Sequence, residues 1–207
     1  MATNGVKIGA AVLGGALVVS IAVAAGRRSV DSAKKTVATQ STGTTAPTAP
    51  PGDLVEFKDE KAGWAISYPK AWNRLESKDS DVVLVVSEKP PAANTGGSIL
   101  ARDLTLGAAV DDSKLPAAKE VTDKIVTTGQ GIQLLAQPTV IHQAGLPGYF
   151  YFYSFKDPAT GQEGVHTHYF LFKGSTMISF VFQALPKENF QGLAHLYDEV
   201  MASFRVL

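Results

Sequence analysis

The chain has 207 residues, 45% hydrophobic and 18% charged, with 19 basic and 19 acidic side chains. That composition excludes a collagen, a wholly disordered polymer and a polytopic membrane protein, and it suits one globular domain with an appendage. With no cysteine, disulfides, thiol nucleophiles and zinc ribbons are excluded as well, so stability must come from a packed core.

The zero net charge hides an asymmetry. Lys7, Arg27, Arg28, Lys34 and Lys35 stand against the single acid Asp31 before residue 53. Removing these five bases and one acid leaves 14 basic and 18 acidic side chains, a formal charge of −4, from Asp53 onward. Such a domain is a poor partner for nucleic acid, whose binding depends on neutralising phosphates. All 18 aromatic residues also lie after residue 52. The chain therefore divides into residues 1–28, a transmembrane anchor or signal-like segment; residues 29–52, a Thr/Ala/Pro linker; and residues 53–207, an α+β domain.

Within the first segment, Ser20 is the only polar side chain of the 19 residues 8–26. As a helix this run is about 28 Å long, enough to cross the hydrocarbon core of a bilayer. An uncleaved anchor fits the length and the Arg27-Arg28 stop. A cleaved signal peptide fits the short n-region and the small-residue site Ala22-Val23-Ala24, and a buried helix is the third reading. A helix apolar on every face matches lipid best. The flanking Lys and Arg favour a cytoplasmic domain, whereas the signal-like position and the stalk composition STGTTAPTAPPG favour export. We expect the domain to lie outside the cytoplasm.

From Asp53 the pattern is that of a domain long enough to bury a real core. Trp64, Ile66 and Tyr68 alternate before Pro69, residues 82–87 form a continuous apolar run, and residues 98–104 are a further strand candidate. Leu115, Ala118, Val121 and Ile125 then predict a helix with Ser113 as its cap and Gly129 just beyond. Strands resume at 132–136 and 139–143. A long aromatic hairpin turns at Asp157-Pro158-Ala159-Thr160-Gly161, and Gly174-Ser175 reverses it into 176–183. Because residues 149–155 are apolar or aromatic on both faces, that strand is expected to be covered on both sides. A last helix from about Asn189 presents Phe190, Leu193, Tyr197, Val200 and Phe204 as one stripe for the sheet. The predicted architecture is an antiparallel sheet between helices.

Phe57-Lys58-Asp59, followed by Gly63-Trp64-x-x-x-Tyr68-Pro69-x-x-Trp72, resembles the opening of the PsbP-like family. The aromatic hairpin with Gly164-Val165-His166-x-His168 and the ending Ser203-Phe204-Arg205-Val206 agree with it. The resemblance implies a PsbP-like α/β/α sandwich of the Mog/PsbP-like fold, here as a membrane-anchored bacterial member. It also implies an accessory or scaffolding role rather than catalysis. The best-known member is an extrinsic photosystem II subunit, but nothing in this chain ties it to photosynthesis, so that partner is not carried over.

Among chemical groups, His166 and His168 project from one face of a predicted strand with Cβ atoms roughly 7 Å apart. Two imidazoles so placed are weak metal candidates, because a closed zinc site needs about four ligands. His142, Glu163, Asp157 and His195 would contribute only if the fold gathers them. We expect the pair to be bonded to neighbours or solvent, with no metal and no cofactor. Asp79/Asp81 and Asp111-Asp112 lack the spacing of a calcium loop. Trp64, Tyr68 and Trp72 suit packing better than a carbohydrate platform.

No nucleophile elbow, H-E-x-x-H motif, P-loop or strand-linked G-x-G-x-x-G occurs. The expected function is a membrane-tethered, non-catalytic accessory domain that docks on a larger membrane or envelope protein complex. The alternatives are an extracytoplasmic small-ligand or lipid-binding protein and an unrecognised hydrolase.

Overall fold

A computed structural model describes residues 53–90 and 95–207. The apolar run 8–26 and the linker lie outside these residues. Among the described residues no helix is long and apolar enough to cross a membrane.

Alternating strand residues open the domain. β1 (Leu54–Asp59) and β2 (Trp64–Pro69) form an antiparallel hairpin in which Asp59 lies opposite Trp64 and Phe57 opposite Ile66. Pro69 ends the strand, and the amide of Trp72 closes the turn on the Pro69 carbonyl at 3.0 Å. β3 (Asn73–Arg74), β4 (Val82–Ser87) and β5 (Gly96–Thr105) follow. A 3-10 turn then leads into α1 (Leu115–Thr127), and β6 (Gln133–Leu134) and β7 (Thr139–Gln143) precede β8 (Leu146–Lys156), β9 (Glu163–Lys173) and β10 (Thr176–Leu185). The chain ends in α2 (Phe190–Ala202) and β11 (Arg205–Val206).

The large sheet is antiparallel with strand order β3-β4-β5-β10-β9-β8-β6, and β7 also pairs with β8. Strand alternation sends consecutive side chains to opposite faces, and each face collects its own helix. Ile178, Phe180, Phe182 and Leu171 point toward α2, where they pack with Trp64, Tyr197, Val200 and Phe204. Phe170, Phe172, Met177, Tyr149 and Tyr151 point toward α1, where they meet Leu115, Ala118 and Val126. A large antiparallel sheet with a helix on either face is the expected sandwich.

The expected pattern needs four corrections. The α2 face is shared with a second, three-stranded sheet of order β1-β2-β11, because the C-terminal Arg205 and Val206 return to pair with Ala65 and Trp64. Ser113 does not cap α1: Asp111 caps the 3-10 turn before it, its side chain accepting from the Ser113 amide at 3.1 Å, and α1 itself starts after Lys114 with no side-chain cap. The buried stripe of α1 is Leu115, Ala118, Thr122 and Val126 rather than one through Val121 and Ile125. Thr122 is drawn inward by the Tyr151 hydroxyl at 2.6 Å. Finally, β8 is fully covered only on its α1 face. On the other face Phe150 and Phe152 are half-buried, since α2 reaches this end of the sheet through Phe190, whose ring lies 5.1 Å from that of Phe152.

The aromatic hairpin follows its turn chemistry. The Asp157 carboxylate accepts from the Thr160 amide and hydroxyl, and Gly161, at φ +71°, supplies the left-handed residue that returns the chain.

Candidate functional site: a buried histidine–tyrosine chain

His166 and His168 lie on the α1 face of β9, as strand parity requires, and are 4% and 0% exposed. Their rings stack on Phe155 and Phe170, at 4.1 and 3.9 Å between centroids. Between them, from β8, comes Tyr153. Its hydroxyl is 3.1 Å from His166 Nδ1 and 3.1 Å from His168 Nδ1. On β10, Gln183 Oε1 is 2.9 Å from His166 Nε2, and Ser179 Oγ is 2.7 Å from His168 Nε2.

One direction of protons satisfies every link. The Gln183 carbonyl can only accept, so His166 Nε2 carries the proton and its Nδ1 accepts from Tyr153. The Tyr153 oxygen then accepts from His168 Nδ1–H, and His168 Nε2 accepts from the Ser179 hydroxyl. Both imidazoles are neutral in this scheme. A second proton on His166 would turn its Nδ1 into a donor and leave the Tyr153 hydroxyl proton without its acceptor. Burial, the main cause, holds His166 down to about 4 and His168 well below the usual histidine range. The charge of Arg102 also disfavours a cationic His168. Burial pushes the Tyr153 phenol up as well.

The other candidates are not gathered here. His142, on β7, pairs with Asp112 at 2.7 Å. Glu163 pairs with Lys187 at 2.6 Å, Asp157 holds its own turn, and His195 faces Glu199 at 3.3 Å on exposed α2. Asp79 is bound by Arg102 at 2.6 Å. Trp64 is core rather than platform, with Phe180 edge-on at 5.2 Å, while Trp72 lies edge-on to Tyr197 at 6.4 Å. Among the described residues, no three His, Asp or Glu side chains stand together as metal ligands would. A narrow cleft beside His166, lined by Ile125, Val126, Ile132, Tyr153 and Lys156, has room for about one water molecule.

Sequence reasoning missed Tyr153, Ser179 and Gln183 as partners of the histidines. Parity alone assigns Tyr153 to the face of its β8 neighbours, but which histidines it meets depends on the β8–β9 register, in which Tyr153 lies opposite His166. A second missed group is Asp103 on β5. It has the parity of Ile99 and Ala101 and so points into the layer of Trp64.

No family model matches the chain, and neither does any curated protein sequence. Solved structures do match. Cyanobacterial PsbP (CyanoP) from Synechocystis sp. PCC 6803 superposes with a TM-score of 0.58 at 16% identity, over 80% of this chain and 99% of that one. LpqN of Mycobacterium tuberculosis, described as involved in cell envelope biogenesis, gives 0.54 at 12% identity over 75% of this chain and 85% of its own. The Saccharomyces cerevisiae Ran-binding protein Mog1p gives 0.50 at 16% identity over 75% and 96%. These superpositions show the fold: the described domain has the PsbP-like fold shared by CyanoP, LpqN and Mog1p.

Proposed function

We propose that this chain is a membrane-tethered, non-catalytic accessory domain that docks on a larger membrane or envelope protein complex. The observation that carries the reading is the closure of the histidine–tyrosine chain. His166, His168, Tyr153 and Ser179 are buried, and each is bonded to a partner from this same domain. A Ser–His contact of 2.7 Å would suit acyl transfer if substrate could reach it, but Ser179 and His168 are 1% and 0% exposed. One protein of this fold is described as Ran-binding, which supports a docking role, and another as involved in cell envelope biogenesis, which supports an envelope setting. The apolar run 8–26 supports the tether.

Carbonate washing of membranes followed by mass spectrometry tests the tether, and full-length protein in the pellet is the expected result. A soluble product starting near Ala25 would mean a cleaved signal. Tagged chain purified from detergent-solubilised membranes is expected to bring down one membrane complex in fixed stoichiometry, recovered again when the complex itself is tagged. A monodisperse chain with no reciprocal partner would sink the docking role.

A further inference from the structure

Among the described residues the domain has four sheet edges, and three are protected in ways natural sheets use against edge-to-edge pairing. β3 is two residues long and includes Arg74. β11 is also two residues long and includes Arg205. β1 is longer but carries Glu56, Lys58 and Asp59. The fourth edge, made by β6 and β7 side by side along β8, differs. β7 is five residues, Thr-Val-Ile-His-Gln, with no formal charge and no proline. It pairs with β8 on one side, and its other side is unpaired among the described residues.

The surrounding sequence is equally neutral. Residues 125–155 contain no Asp, Glu, Lys or Arg, although 18% of the chain is charged. Three of the six exposed large apolar side chains described lie along this edge: Leu134 at 41%, Leu135 at 46% and Val140 at 54% exposure. An open, neutral, apolar edge is a template for another strand.

We infer that the β6–β7 edge pairs with the same edge of a second copy of this chain, joining the two large sheets into one across a two-fold axis. The argument for a second copy is self-complementarity. Antiparallel pairing centred on Ile141 puts Ile141 opposite itself, Thr139 opposite Gln143 and Val140 opposite His142, so no like charges meet and the β-branched Ile141 faces its own copy. A two-fold contact of this kind uses one patch on both partners and closes after two copies, which keeps a sticky edge from growing into a fibre. The hydrogen bond between His142 and Asp112 flanks the ladder.

The absence of native cysteine makes the register directly testable. In the full chain, purified in detergent micelles, the double variant Val140→Cys/His142→Cys places each thiol opposite a thiol of the second copy, at a spacing a disulfide can span. Oxidation is expected to give a covalent dimer at least tenfold faster than a control pair, Leu54→Cys/Glu56→Cys, on the charged β1 edge. Val140→Lys, which leaves the apolar run 8–26 intact, is expected to weaken the dimer seen by light scattering at least tenfold without changing the circular-dichroism spectrum. A chain that stays monomeric at tens of micromolar overturns the inference. So do equal cross-linking rates at the two edges, or a dimer that Val140→Lys leaves untouched. None of these readouts depends on the docking role or on the tether.

Discussion

The indole nitrogen of Trp64 donates to both carboxylate oxygens of Asp103, at 3.1 and 3.3 Å. Trp64 belongs to the small sheet and Asp103 to the large one, so this contact is a polar joint inside an apolar seam. Asp59, opposite Trp64 in the hairpin, faces the same carboxyl group. Burial first, then the hydrogen bond and charge of Asp59, push Asp103 up to about 7. At neutral pH Asp103 therefore carries its proton for part of the time.

Replacing Trp64 should be costly for two reasons. The ring is fully buried among Phe57, Phe180 and Phe204, and its N–H satisfies Asp103. Trp64→Ala is expected to cost about 3 to 5 kcal/mol in urea unfolding. Trp64→Phe should cost less, because ring packing survives while the donor is lost. A loss below about 1 kcal/mol for the alanine variant would mean that the ring is not core.

The Asp103 joint should weaken with rising pH. The native state holds its proton up to about 7, whereas the unfolded carboxyl releases its proton near the ordinary aspartate value of 3.8. Between these values the native state binds the extra proton, so this group's contribution is complete below the lower value and is lost as pH climbs to the upper one. Asp103→Asn should abolish that decline. If unfolding free energies of the wild type and the variant run parallel from pH 5 to 8, Asp103 does not titrate as described.

The histidine chain acts in the opposite sense. In the unfolded chain both imidazoles take up protons below about 6.5, while in the native state His166 resists until about 4 and burial holds His168 well below its ordinary range. The unfolded state therefore binds up to two more protons, and stability falls as pH drops from about 6.5 toward 4. Two histidines outweigh one aspartate below that point, and the aspartate acts alone just above it. Thermal melts are expected to peak between about pH 6 and 7. A melting temperature that climbs steadily down to pH 4.5 would contradict neutral, buried imidazoles.

Tyr153 is the centre of the chain, and Tyr153→Phe strips one hydrogen bond from each histidine. The expected cost is about 1 to 3 kcal/mol, since two buried ring nitrogens lose their partner. Ser179→Ala, which affects one histidine, should cost less. Equal, negligible effects would show that water replaces the missing hydroxyl.

Metal content offers an independent check on the same residues. Protein dialysed without chelator should hold substoichiometric zinc and copper, and EDTA should leave its melting temperature unchanged. One tightly held metal per chain, lost in His166→Ala, would instead make the Nδ1 atoms and the Tyr153 oxygen ligands and reopen the question of chemistry.

Elements set by local periodicity were legible in the amino-acid sequence. The alternation of Trp64 and Ile66, the Asp157–Gly161 turn and the stripe Tyr197 and Val200 each follow from a repeat of two or of 3.6 residues or from turn chemistry, and the chain folds them so, although Phe204, expected on that stripe, is buried just beyond the end of the helix. The shared face of His166 and His168 is of the same kind.

What tertiary structure alone decided is who stands beside whom. Tyr153, Ser179 and Gln183 reach the histidines because β8, β9 and β10 pair in one particular register, and a shift of one residue would send each side chain to the opposite face. The return of Arg205 and Val206 to β2, which adds the third strand to the small sheet, joins residues about 140 positions apart. Periodicity carries information over a turn or a strand. Pairing across such distances is chosen by which apolar faces bury each other, and that choice belongs to the whole chain.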